Sequence, residues 1–348
     1  MAREWSYWTS NKLNILGDYV PAFNTASKSC SERLYLDLMA GRPENVERLT
    51  GSVIDGSPRR VLSADPGFTR HVFFELPSNA DKLEVALRNE FPQADFRVVR
   101  GDCNRTIDTV LADLQPLNWA PTFVFIDQQA AEVEWETLVK LSKFKNPRSK
   151  TKAELWLLVS PASVARGVGG QKSKTRAFRE KISRFYGTWN WLNIQDARDA
   201  RIITGPEYRD EMVNLIRFRL TEHLGYLHTE RIPMRMTNGH TIYDMVFASD
   251  HDVGAKIMRD LYRKAAEREP RMIDEARRLA ITKREEELGK LSLIALSELP
   301  ATEPLPVMDP EGKREVLWRS TPYWRPSSRA WWTDRHRPPT DHDFGSGD

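Results

Sequence analysis

The feature that most constrains this chain is the alternation, across its first half, of short apolar runs with segments of helical period. Leu34–Met39, His71–Glu75, Phe96–Val99, Thr122–Ile126 and Glu154–Val159 each read as a strand. Between them, Ala80, Leu83, Ala86 and Leu87 share one helical face, and Ile107, Val110, Leu111 and Leu114 recur at i, i+3, i+4 and i+7. Strand and helix patterns taken in turn predict βαβ units and a parallel sheet. A long helix is expected around Glu207–Leu224, then two more strands over Thr229–Met236 and Thr241–Ala248. Asn238–Gly239 between them is a hairpin turn signal. The expected fold class is therefore α/β: a doubly wound, mostly parallel sheet with an antiparallel terminal hairpin.

Composition adds bounds. The chain has 348 residues, 40% of them hydrophobic and 29% charged, which is globular rather than fibrous or disordered. Two cysteines, Cys30 and Cys103, are too few for a disulfide framework or a four-cysteine zinc site, and are expected as reduced thiols in the cytoplasm. No apolar run approaches the roughly 20 residues needed to cross a bilayer, and Met1–Lys12 lacks the apolar run of a signal peptide. The expected division is a Rossmann-like domain over 1–265, an extension over 266–337 that is mostly helical, carries a Trp/Arg-rich segment and could be winged-helix-like, and a disordered tail over 338–348. The extension contains a proline-rich linker, Pro300–Pro310.

The formal net charge is only +3, but twelve basic residues against two acidic ones fall between Lys143 and Arg184. That asymmetry suits phosphate backbones, and it suits a solvated loop equally well. The candidate nucleic-acid contacts are Lys145, Arg148, Lys150, Lys152, Arg166, Lys172, Lys174 and Arg176. A second cluster mixes Trp318, Tyr323, Trp324, Trp331 and Trp332 with Arg319, Arg325, Arg329, Arg335 and Arg337. It could stack single-stranded bases, or lay its tryptophans across the parent domain as anchors; the second reading is favoured, because four exposed tryptophans are costly.

Acidic residues recur at successive strand ends: Asp37, Glu75, Asp102 and Asp127. Ligands of open α/β sheets bind at those ends. A carboxylate at Glu75 is placed for ribose hydroxyls and one at Asp102 for the amine of an adenine, while Gly41 lets backbone approach a ligand closely. The arrangement suits a nucleoside cofactor such as S-adenosylmethionine. Loops are often acidic in any case, which is the competing reading.

These residues also carry a family resemblance. Lys12-Leu13, Tyr19–Phe23, Tyr35–Gly41, Gly56-Ser57-Pro58, Gly101–Asn104, Phe125-Ile126-Asp127 and Ile242–Ser249, with Gly254 and Met258 after them, resemble the three-Cys-motif partner proteins (TcmP) from about residue 10 to 265. The resemblance implies a Rossmann-like methyltransferase fold, bacterial mobile-element or phage-related contexts, and a separate three-cysteine protein as partner. In that frame Asp37 and Gly41 shape the methionine end of the cofactor site, Glu75 holds the ribose, Asp102 reads the adenine, and Asp127 with Gln128 orients the methyl acceptor. The sequence departs from the family pattern in three turns, one being that after Glu75, where Leu76-Pro77 replaces a more acidic stretch. Gly41 is followed by Arg42-Pro43-Glu44 instead of small residues, and Asp127 by Gln128-Gln129-Ala130 instead of a proline-containing loop.

Two readings follow: a methyltransferase acting on nucleic acid, or a degenerate methyltransferase fold serving as a nucleic-acid- or protein-binding subunit. An open cleft at residues 41–44 and 127–130 favours the first, and one filled by Arg42 or Gln128 the second. Other chemistries lack their motifs. Gly167–Gly170 has neither the context nor the Lys-Ser/Thr of a P-loop, the seven histidines show no HExxH spacing, no metal ligand set is evident, and no Gly-x-Ser-x-Gly occurs.

Overall fold

The computed structural model describes residues 3–5, 7–41, 45–47, 53–168, 172–287 and 317–334. The chain opens with β1 (Arg3–Trp5) and α1 (Tyr7–Ala26), then β2 (Leu34–Asp37), β3 (Asn45–Glu47), β4 (Val53–Ile54) and α2 (Ser57–Leu62). Regular alternation follows: β5 (Arg70–Glu75), α3 (Pro77–Glu90), β6 (Phe96–Arg100), α4 (Cys103–Asp113), β7 (Thr122–Ile126), α5 (Trp135–Phe144) and β8 (Glu154–Val159). Helices α6 (Pro161–Val168), α7 (Lys172–Tyr186), α8 (Trp191–Asp199) and α9 (Gly205–Glu222) lead to β9 (His228–Arg235), β10 (Thr241–Ser249) and the 36-residue α10 (Asp252–Glu287).

Seven strands form one sheet in the order β6-β5-β2-β7-β8-β10-β9. The first five are parallel, and β10 runs antiparallel to both β8 and β9. This is the doubly wound, mostly parallel sheet with a terminal antiparallel hairpin that the sequence pattern predicts. Gly239 makes the hairpin turn at φ +84°, a conformation glycine adopts without strain. A small second sheet, β1-β3-β4, is built from strands of two or three residues that no hydrophobic period announces.

Alternate residues of the central strands feed two cores. Leu34, Leu36, Val124, Ile126, Leu155 and Leu157 face α4–α9, whereas Tyr35, Phe73, Phe123, Phe125 and Trp156 face α1, α2, α3 and α10. Because both faces are covered, the strands read as near-continuous apolar runs rather than as alternating ones. At about 25 cal/mol per Å² of buried apolar area, each large side chain among them contributes roughly 1.5–3 kcal/mol. Trp156 is fully buried, and its indole N–H donates to Tyr262 Oη at 2.8 Å.

The boundary expected after residue 265 falls inside α10, whose Met258, Leu261, Tyr262 and Ala265 belong to the second core. The linker reading of 300–310 and the disordered reading of 338–348 lie outside the described residues. Residues 317–334 form a strap across α9 and β9. Trp318 Nε1 donates to Arg231 O (2.8 Å), Asn214 holds both backbone groups of Trp324 (2.8 Å each), and Asn193 Nδ2 donates to Thr333 O (2.6 Å). The tryptophan-rich segment is thus packed against the domain. No helix among the described residues is long and apolar enough to cross a membrane.

Candidate functional site

The strand order reverses at β2, which has β5 on one side and β7 on the other. Loops leave the carboxyl ends of these strands in opposite directions, and a crevice results. A cleft of about 930 Å³ lies there, lined by residues that follow β2, β5, β6 and β7, with Lys181 and Arg184 of α7 at its rim. That volume is within the range of small-molecule sites.

Glu75 ends β5 and lines the cleft. Its Oε2 accepts the Gly41 backbone N–H at 2.7 Å, and its Oε1 accepts Asn79 Nδ2 at 3.2 Å. Gly41 makes this possible with φ +78°, and a Cβ built there meets nothing within 4 Å among the described residues. Asp102 lines the same cleft one strand over and caps α4, its Oδ1 accepting Asn104 N at 2.9 Å. Among the described residues no lysine or arginine pairs with Glu75 or Asp102. Two carboxylates that retain free acceptor capacity, beside a bare glycine backbone and the 56%-exposed Leu76, are chemically suited to the ribose and amine of an adenosine. The residues present fit the adenosine half of S-adenosylmethionine. Arg42, Pro43 and Glu44, where the methionine half is expected, lie outside the described residues.

Asp37 does not join this group. Strand alternation sends Leu36 and Leu38 to one face and Asp37 to the other, where it is fully buried. There it accepts Ser57 Oγ (2.6 Å), Tyr35 Oη (3.3 Å) and Met39 N (3.1 Å), and burial pushes its pKa up to about 7. Its expected part in the methionine pocket is corrected to a support beneath the cleft floor.

Asp127 directly follows β7 and lines the cleft, and the buried Lys12 of α1 forms an ion pair with it. Gln128 is turned inward instead of toward an acceptor, with only 1% of its surface exposed. Its Oε1 accepts Glu132 N (2.8 Å) and Val133 N (3.0 Å), and its Nε2 donates to Leu158 O (2.9 Å). Gln128 therefore shapes the loop, and its expected contact with an acceptor is corrected accordingly. The fixed geometry that a proline would give is supplied by side chains. Glu132 accepts the N–H groups of Gln129 and Ala130, and Asn104 joins the loop to α4 through Glu132 O and Glu134 N. Sequence reasoning names neither Asn104 nor Glu132 as a site residue; the signal for Asn104 is its place two residues past the strand-end aspartate.

The rim cations are paired: Lys181 with Glu132 at 3.0 Å and Arg184 with Glu134 at 3.1 Å. Cys103 lines the cleft at the first turn of α4, and burial pushes its thiol up to about 12, which removes it as a nucleophile. No group of three or more metal-ligating side chains occurs among the described residues.

The basic run does not form one surface. Lys145 is buried and donates to the carbonyls of Trp119 (3.0 Å) and Ala120 (2.6 Å), so its expected phosphate contact is corrected to a structural one. Lys152 Nζ is held by Asp250 (2.9 Å) and Gly225 O (2.9 Å). Arg148 and Lys150 are exposed, but they lie before β8, at the edge of the sheet opposite the cleft. Arg166, Lys172, Lys174 and Arg176 lie beyond β8, on α6 and α7. Arg166 donates to Ser163 Oγ (3.0 Å), and Arg176 pairs with Glu180 at 3.4 Å on the exposed helix face.

No family model matches this sequence, and no curated protein matches it. Among solved structures, it is similar to M. jannaschii TYW2 in complex with AdoMet, with 8% identity and a TM-score of 0.35 over 70% of this chain and 76% of the other. It is also similar to a Legionella pneumophila protein of the DUF519 family, with 12% identity and a TM-score of 0.36 over 71% and 91%. A putative hemolysin from Streptococcus thermophilus gives 13% identity and a TM-score of 0.27 over 78% and 76%. At such scores the fold assignment rests on the strand order of the sheet itself.

Proposed function

We propose that this chain is an S-adenosylmethionine-dependent methyltransferase-like protein of the TcmP type whose target is nucleic acid. The observation that carries the reading is the pair Glu75 and Asp102, which line one cleft from adjacent strand ends with acceptor capacity left over. Glu75 would hold the ribose hydroxyls, Asp102 the adenine amine, and Gly41 would leave room for the chain of the cofactor. When bound, the cofactor supplies a methyl group on an activated sulfonium, so the protein's share is mainly alignment. Asp127, fixed by Lys12, faces the cleft where an acceptor would approach and can accept a hydrogen bond from it. Helix α7, which reaches the cleft through Lys181 and Arg184 and carries further basic residues, supports a polyanionic target. A three-cysteine partner protein and a mobile-element setting belong to the same reading through the sequence resemblance.

A second reading is favoured by a specific observation: Lys12 already neutralises Asp127, and Gln128 is committed to its loop, which leaves little acceptor machinery. In that reading the fold is a binding subunit. Calorimetric titration with S-adenosylmethionine and S-adenosylhomocysteine separates the two. Low-micromolar binding is expected, weakened about 100-fold by Glu75→Ala, as the loss of two charge-assisted hydrogen bonds of about 1.5 kcal/mol each implies. No heat from either ligand, with no change in melting temperature, leaves the binding-subunit reading.

A further inference from the structure

The end of α7 separates the cleft from a second cavity. Arg184 lines the first; Gly187 and the turn to Trp189 line the second, which has a volume of about 520 Å³. Helix α9 contributes Phe218 and Arg219 to its walls, His223 follows at the helix end, and the strap contributes Arg325 and Trp332. The cavity thus combines two guanidinium groups with three aromatic faces. One carboxylate, Asp334, lines it, and that group accepts Trp332 Nε1 at 3.1 Å.

Arg219 is the telling residue. Its guanidinium lies 4.5 Å from the Trp135 ring centroid, it forms no hydrogen bond or ion pair with any described residue, and its Nε is buried without an acceptor. Burial alone pushes its pKa down to about 10, with no carboxylate to offset it. Arg217, two residues earlier, is buried more completely, but its Nη2 donates to Thr229 O (2.7 Å) and Thr321 O (2.6 Å). A half-buried cation whose Nε is cut off from water without an acceptor is a favourable partner for an anion. Arg325, across the cavity, is exposed and likewise pairs with no described carboxylate. A bare anion would use the two arginines and ignore the indoles. A planar base carrying a phosphate uses both.

We infer that this cavity is a site for a nucleoside phosphate, with the phosphate against Arg219 and Arg325 and the base on the aromatic wall of Trp189, Phe218 and Trp332. The ligand is either a free mononucleotide or one nucleotide of a single strand. The inference needs no cofactor in the cleft and stands or falls apart from the methyltransferase reading.

The test is titration of the full-length protein with adenosine monophosphate, with a single-stranded thymidine octanucleotide and with inorganic phosphate, followed by tryptophan fluorescence. Quenching by the mononucleotide or the octanucleotide is expected, with inorganic phosphate at least tenfold weaker. Equal affinity per site for the two nucleotide probes identifies a free nucleotide as the ligand, and tighter binding of the octanucleotide identifies a strand. Arg325→Glu alters an exposed strap residue and is expected to weaken binding at least tenfold while leaving the melting temperature unchanged; Trp332→Ala is expected to remove most of the quench. The site is overturned if neither nucleotide probe binds, if inorganic phosphate binds as tightly as they do, if both variants bind as the wild type does, or if only an acidic peptide occupies the cavity. S-adenosylmethionine titration of the Arg325→Glu protein, expected to match wild type, keeps failure at this cavity distinct from failure at the cleft.

Discussion

At the scale of single residues, the fold holds carboxylates where water cannot reach them. Glu154, at the start of β8, is buried, and burial pushes its pKa from 4.5 to about 7 even though Ser249 Oγ (2.6 Å) and Tyr19 Oη donate to it. Gly254 lies so close that an added Cβ would be 2.2 Å from Glu154 Oε1, which is why the start of α10 has no side chain there. Because the folded state binds the proton more tightly than the unfolded chain, Glu154 favours folding most at acid pH, and this contribution is lost as pH rises from about 4.5 through about 7. Asp37 acts with the same sign. His71, whose pKa burial lowers, acts with the opposite sign in part of this window, and Lys145, lowered to about 8, acts only above it. The wild type and Glu154→Gln must therefore be compared as a difference. Urea denaturation at pH 5.5, 7 and 8.5 should show the variant gaining on the wild type as pH rises, by roughly 2 kcal/mol between the first and last points. Parallel pH profiles would refute a buried, proton-binding Glu154. Residues of this kind also limit what a sequence discloses. Glu75 and Asp102 were legible because strand ends expose them. Asp37 and Gln128 looked the same in the sequence and differ only in which way the backbone turns the side chain.

At the scale of elements, the strands were legible and the strap's dock was not. A strand buried on both faces announces itself by its apolar run, and β7 and β8 fall on the predicted residues. Helix α9 carries Glu211, Asn214 and Arg217 in a polar stripe that reads as a solvated face, yet all three are buried. They are polar because their partner is the strap. Glu211 accepts Trp324 Nε1 (2.9 Å) and Arg329 Nε (2.6 Å), Asn214 pairs with the Trp324 backbone, and Arg217 donates to Thr321 O (2.6 Å). A contact more than 100 residues away in sequence leaves no local pattern. Asn214→Ala leaves the Trp324 N–H and C=O without partners, a cost of about 2–4 kcal/mol at this joint. Trypsin should then cut after Arg319 and Arg329 at least tenfold faster than in the wild type, while cuts within the sheet domain keep their rate. Equal strap cleavage in both proteins would show that Asn214 does not hold it.

At the scale of the whole molecule, the sheet divides the basic run. Six residues of β8 at about 3.3 Å each set Arg148 and Lys150 roughly 20 Å from the positions that follow the strand. That is beyond the Debye length of about 8 Å at physiological salt, so the two groups cannot act as a single field on one phosphate chain lying over the cleft. The cleft rim offers little free positive charge of its own, since Lys181 and Arg184 are paired with Glu132 and Glu134. A polyanion held for chemistry at the cleft must therefore draw on α6 and α7, where Lys172 and Lys174 open the second helix. Counterion release makes this measurable: each lost phosphate contact lowers the slope of log affinity against log salt by about 0.7 for a single strand. Replacing Lys172 and Lys174 by glutamine should reduce that slope by about 1.4, whereas replacing Arg148 and Lys150 should leave it unchanged. If the second pair lowers the slope and the first does not, the nucleic acid lies on the edge away from Glu75 and Asp102. Methyl transfer to that strand from the cleft would then be geometrically excluded.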